Sequence, residues 1–107
     1  MANQLYAWPV TPTGAATQRV SGTSDVAIAE SNTRTSITFQ NMGTSEFYVR
    51  LDSTAPTASN AHYIVAACSA DNAGDGGFLT VDGVITAMKV GAASSTYKVQ
   101  IVEYVKA

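Results

Sequence analysis

His62 and Cys68 are the only side chains in this 107-residue chain that offer imidazole or thiol chemistry. A transition-metal centre needs several imidazoles or thiolates converging on one ion, so a cupin-type metal site is excluded by count, and no cofactor is expected. A Ser–His–acid triad is open by composition, because serine is frequent. The chain carries no nucleophile-elbow motif, however, and His62 follows directly on a proline-containing loop. Of the eight acidic residues, Asp52, Asp71, Asp75 and Asp82 fall in turn-forming stretches, which leaves little from which to build the facing carboxylates of a glycosidase. The expectation is a protein that is not an enzyme. Cys68, with no base or cation beside it in sequence, reads as a small buried hydrophobe.

Charge excludes other partners. Only 13% of residues are charged and the net charge is −2, while Ser, Thr, Ala and Gly are abundant, so the surface is rich in hydroxyls. Arg19, Arg34, Arg50, Lys89, Lys98 and Lys106 stand singly and form no phosphate-tracking stripe, and nucleic acid is not an expected partner. The Ser69–Gly77 stretch, SADNAGDGG, has the composition of a calcium loop but neither its alternating ligands nor its distal Glu, and it reads as a flexible hairpin loop. It also lacks the lysine of a phosphate cradle. No segment has the length of a membrane span, and MANQLYAWPV lacks the basic region and apolar run of a secretion signal. No membrane partner is expected, and the chain should stay in the cytosol unless a larger assembly carries it out.

The remaining sequence must fold as strands. In TSITFQNMGTSEFYVRL, residues 35–51, Ile37 and Phe39 alternate with polar residues, as do Phe47, Val49 and Leu51 with Tyr48 and Arg50, which is the period of half-buried strands. Asn41, Gly43, Thr44 and Ser45 supply a turn between them, so residues 35–51 read as a loose hairpin. Asp25–Glu30 gives a short first strand. Asp52–Asn60 is a polar surface loop around Pro56. His62–Cys68 reads as a strand buried on both faces, and FLTV-DG-VITAMKV as a tight hairpin, since Asp82-Gly83 supplies the positive φ of a type I′ turn. Tyr97–Val105 closes the chain with Tyr97, Val99 and Ile101 on one parity. Arg34 and Arg50 read as solvated face residues, and Tyr63, Tyr97 and Tyr104 as partly core. No apolar stripe of helical period is sustained over ten residues. The fold class is all-β: an antiparallel β-sandwich or jelly-roll-like barrel with an extended N-terminal arm.

That arm is residues 1–24 and the sandwich domain residues 25–107. The arm holds Pro9, Pro12 and many small polar residues, a composition that buries too little apolar surface to offset its chain entropy. Within it sits one compact cluster, Leu5, Tyr6, Trp8, Pro9 and Val10, of the kind that anchors in a pocket on a partner or on the parent domain. These five are the candidate partner-binding residues.

From Arg34 onward the chain resembles small virion proteins of tailed bacteriophages. The features that carry the resemblance are RTSITFQNMGTSEFYVRLD, a proline-containing loop, GGFLTVDG and a terminal YKVQIVEY. The resemblance implies a capsid decoration or cement protein on the outer capsid surface, assembled in the host cytoplasm. Its partners would be the major capsid protein, bound between capsomers, and itself, as a homo-oligomer for which a trimer is favoured. A carbohydrate- or receptor-binding module of a fibre, or a neck or tail adaptor, is the alternative.

Overall fold

The computed structural model describes residues 10–12, 18–22, 25–92 and 96–106. Nine strands run through them: β1 (Val10–Pro12), β2 (Gln18–Gly22), β3 (Val26–Ile28), β4 (Arg34–Asn41), β5 (Phe47–Arg50), β6 (Tyr63–Val65), β7 (Phe78–Asp82), β8 (Met88–Gly91) and β9 (Tyr97–Lys106). One sheet has β9 beside β4 and β4 beside β7, with β1 and β2 placed end to end along the other edge of β9; the second has the order β3-β8-β5-β6. All pairings are antiparallel.

The pairs β5·β6, β4·β7, β3·β8 and β2·β9 are nested one inside the next. They describe a single long antiparallel ribbon that starts from the β5–β6 connection. Rolling this ribbon brings β9 against β4 and β8 against β5, and so closes two sheets over one core. This is jelly-roll topology, and it shows the expected fold class.

Alternation supplies the core. Ile37, Phe39, Phe47, Val49, Met88, Val90, Val99 and Ile101 are all 0% exposed, and Tyr97 is 1%. Burying each such side chain contributes on the order of 1.5–3 kcal/mol. A surface ion pair such as Lys98–Asp71, with the acid 66% exposed, contributes about 0–1 kcal/mol. The inward parity of β4, β5, β8 and β9 therefore determines the fold, and the scarcity of charge costs it little.

The two hairpins expected from the sequence do not form. β4 and β5 do not pair with each other but lie in opposite sheets, and β7 and β8 likewise. The Asn41–Ser45 and Asp82-Gly83 stretches carry the chain across the sandwich. Gly83 does have positive φ, at 76°, but its N–H donates to Thr35 O on β4 at 2.9 Å. A turn residue reports the local backbone, whereas here the partner of each strand is set by the ribbon's distant half. The strand expected at 62–68 is shorter, Tyr63–Val65, and forms an edge, with Tyr63 45% and Ile64 52% exposed. Only Val65 of the three is buried.

Of the expected arm, Val10–Pro12 pairs with Lys106–Tyr104 and Gln18–Gly22 with Ile101–Tyr97. The described parts of residues 1–24 thus lie as edge strands on β9. Every described member of the core cluster falls between Ile28 and Ile101.

Candidate functional site

The two ends of the sandwich are built differently. At one end the β3–β4, β5–β6 and β7–β8 connections meet, and Arg34 organises them. Its Nε donates to Val84 O at 3.0 Å, Nη2 to Thr86 O at 2.7 Å, and Nη1 to Ala29 O at 3.1 Å and to the Glu103 carboxylate at 3.3 Å. The side chain is fully buried, which corrects the reading of Arg34 as a solvated residue. A register shift between Arg34 and Ser36 against β9 is the cause. Without that bulge Arg34 would share the outward parity of Ser36 and Thr38; bulges re-aim side chains in this way.

His62 stands at this same end, exposed, with its Nδ1 accepting the Leu51 N–H at 2.8 Å. The neighbouring β5–β6 loop is bonded to itself. Arg50 holds both Asp52 oxygens and donates to Asn60 O at 2.6 Å, while Asp52 also accepts the Thr54 N–H at 2.9 Å. The hydrogen bond from Arg50, followed by the one from Thr54, holds the Asp52 carboxyl well below the usual carboxylate range. Arg50 is thus half-buried and ties down this loop, which the sequence reading of a solvated face did not anticipate.

At the opposite end Asn41 is the organiser, and it is 0% exposed. Its Oδ1 accepts the Gly43 N–H at 2.9 Å, and its Nδ2 donates to Ser45 O at 2.9 Å and Val65 O at 3.3 Å. The Ser69–Gly77 loop packs onto this turn through Cys68 N–H to Gly43 O at 2.7 Å and Asn72 N–H to Met42 O at 2.7 Å. Cys68 is buried, as its composition and setting implied, with its thiol donating to Asn41 O at 2.9 Å. Asp75, which a calcium site would require as a ligand, instead accepts the Ser69 N–H at 3.0 Å. Hydrogen bonding from Ser69 lowers its pKa.

A hollow of about 300 Å³ opens at the Asn41 end, lined by Gly43, Thr44, Asp71, Thr96, Tyr97 and Lys98. Lys98 Nζ lies 3.6 Å from Asp71 across it. An ion pair with two hydroxyls can receive a small polar group, but it holds no nucleophile–base pair. His62 and Cys68 are at opposite ends of the fold. Among the described residues no three His, Cys, Asp or Glu side chains gather as a metal site.

The outer face of the larger sheet carries few charges. On the outer side of the β9–β4–β7 sheet, pairing sets Gln40 between Phe78 and Gln100, Thr38 between Thr80 and Val102, and Ser36 between Asp82 and Tyr104. Thr38 and Thr80 hydroxyls lie 3.5 Å apart. Phe78 is 70% exposed. Tyr97 is core, Tyr104 half-buried on the outer face, and Tyr63 an edge residue. Phe78 and Ile64 were missed as surface residues by sequence reasoning. The parity of FLTVD, with Leu79 and Val81 inward, contains the signal for Phe78.

Of the candidate anchors, Leu5, Tyr6, Trp8 and Pro9 lie outside the described residues. Val10 opens β1 opposite Lys106. The chain before Val10 therefore joins the sandwich beside the C-terminal end of β9, at the Arg34 end. The sequence matches no protein-family model, no curated protein and no solved structure.

Proposed function

We propose that the protein is a non-enzymatic structural component of a phage virion, a capsid decoration or cement protein that binds the outer shell between capsomers and stabilises it. The partner is the major capsid protein, and the protein acts as a homo-oligomer, for which the resemblance implies a trimer. The observation that carries this reading is the division of labour in the chain. The described members of the core cluster run from Ile28 to Ile101, while β1, which directly follows the aromatic-proline residues Leu5–Pro9 in sequence, pairs with the C-terminal end of β9 at one end of the body. A compact body with an anchor-bearing extension suits a lattice, where identical modest contacts add through effective concentration. Tyr6 and Trp8 supply the anchor area that offsets ordering of the segment.

The test is binding to capsids that lack the protein. Removing residues 1–9 leaves β1 and β2 in place, so circular dichroism should be unchanged while capsid binding falls at least tenfold. Undiminished binding would move the contact onto the sandwich. The hollow between Thr44, Thr96 and Lys98 is a feature that favours a carbohydrate- or receptor-binding module. A glycan that competes at that hollow, together with a copy number of a few per particle rather than hundreds, would establish that alternative.

A further inference from the structure

The hydrogen bonds of β7 fix which of its residues face β4. Asn41 N–H donates to Gly77 O and Gly83 N–H to Thr35 O, each at 2.9 Å. These two bonds flank a ladder in which Gln40 pairs with Phe78 and Ser36 with Asp82. In an antiparallel pair, residues alternate between exchanging both bonds and exchanging none. Residues 77, 79, 81 and 83 therefore bond to β4, and Phe78, Thr80 and Asp82 turn their N–H and C=O groups to the other side. No described strand lies on that side.

Such an edge is ordinarily blunted by brevity, lysine, proline or a bulge. β3 and β6 have three residues each, and the outer edge of β9 is covered by β1 and β2. β7 has five residues, no proline, no lysine and an unbroken register with β4.

We propose that this edge is a homotypic docking surface, on which β7 of a second copy pairs antiparallel about a two-fold axis through Thr80. The strand is complementary to itself in that register. Thr80 meets Thr80 of the second copy, and Phe78 meets Asp82, so all three outward-turned N–H and C=O pairs are satisfied and no like charges oppose. A five-residue ribbon alone falls short of the roughly 1,200 Å² that specific interfaces bury. The neighbouring β6 edge supplies the remainder. Gly77 N–H bonds Ala66 O at 2.9 Å and so places β6 beside the start of β7. Three of the four exposed large hydrophobics among the described residues, Tyr63, Ile64 and Phe78, belong to these two edge strands.

The contact does not depend on shell attachment, and it specifies a two-fold pair where the resemblance implies a trimer. Sedimentation equilibrium of the full chain should give twice the monomer mass at micromolar concentration. Thr80→Pro should give the monomer mass with an unchanged circular dichroism spectrum, because the N–H it removes makes no bond to β4. In the oxidised chain Thr80→Cys should cross-link two copies. Opposed residues of a bonded pair stand about 5.5 Å apart at Cα, inside the roughly 4.4–6.8 Å span of a disulfide. Phe78→Cys should not cross-link to itself, but should cross-link when mixed with Asp82→Cys. A monomer, or a trimer indifferent to Thr80→Pro and without the Thr80→Cys cross-link, overturns the proposal. Association lost on removal of residues 1–9 but kept in Thr80→Pro also overturns it, by assigning the contact to the N-terminal segment.

Discussion

Arg34 and Asn41, the first and last residues of β4, are the two buried polar side chains among the described residues, at 2% and 0% exposure. Each closes the connections at its own end of the sandwich. Between them β4 presents Ile37 and Phe39 to the core and pairs on both flanks, with β9 and β7. One central strand thus carries apolar core in its middle and a polar clamp at either end. The clamps matter because a rolled ribbon crosses between sheets repeatedly, and each crossing leaves backbone groups without a ladder partner.

Arg34→Met should remove the donors that satisfy the carbonyls of Ala29, Val84 and Thr86 and leave Glu103 without its cation. Removing one partner from a buried charged network costs about 3–5 kcal/mol. Arg34→Lys keeps the charge but not the planar fork, so it should recover only part of that loss. Denaturant melts of the two variants measure the difference.

Asn41 makes a sharper test of polarity. Asn41→Ala takes the side-chain partner from the Gly43 N–H and the Val65 carbonyl in buried bonds, at about 1–3 kcal/mol each, and from the part-buried Ser45 carbonyl. Asn41→Asp keeps the acceptor for Gly43 but turns a carboxylate toward the Ser45 and Val65 carbonyls. It should be the worse variant at neutral pH and should regain stability on mild acidification, as its carboxyl protonates. Urea melts at pH 7 and pH 5 distinguish the two.

Much of this architecture is legible in the chain, and the illegible part has a common cause. Ile37 and Phe39, or Tyr97, Val99 and Ile101, announce their burial by alternation, because strand parity is a local property. Gly83 likewise announces its positive φ. What the chain conceals is which strand lies beside which, since β7 pairs with β4 and β8 with β3 and β5 across long separations. Arg34 was concealed by the bulge that reverses its parity. Pro56 reads as the centre of a surface loop, yet it is buried while its neighbours Ala55 and Thr57 are exposed. Of the proposed attachment surface, the aromatic cluster at residues 5–10 is visible in sequence. Exposed Phe78 is passed over because an aromatic residue in a strand is read as core, although the inward parity of Leu79 and Val81 places it on the outside.

The stability of the fold should fall at both ends of the pH scale. Asp52 and Asp75 have pKa values held below the ordinary carboxylate range in the fold. Their contribution is therefore complete above the unfolded value of about 4 and is lost as pH falls through the lower, folded values. Tyr97 is shifted the other way, raised first by burial and then by the Asp25 charge. Its contribution is complete below the unfolded value of about 10 and is lost as pH rises through the folded value. Asp52→Asn should flatten the acid limb of stability against pH, and Tyr97→Phe the alkaline limb. Thermal melts across the pH range check both.

Gly83→Val should destabilise the protein by more than about 1 kcal/mol, because a β-branched residue is strained at a φ of 76°. Gly83→Asn should be milder, since asparagine tolerates that region. No Cβ contact opposes either change, so the difference between the variants in denaturant melts isolates the backbone cost.

The two parts of the N-terminal segment should respond differently to deletion. Residues 10–12 and 18–22 cover the edge of β9, and β9 is the strand that joins β4 to this edge in the larger sheet. Deleting residues 1–24 uncovers ten-residue β9 along most of its length. The edge so exposed carries unpaired N–H and C=O groups, which is a template for association with other chains. That deletion should lower the denaturation midpoint and produce species of high mass in size-exclusion chromatography. Deleting residues 1–9 removes Leu5, Tyr6, Trp8 and Pro9 but no described strand, so it should leave midpoint and elution unchanged. Equal destabilisation by both deletions would make Tyr6 and Trp8 part of the body's own support, and the anchor would have to be sought on the sandwich.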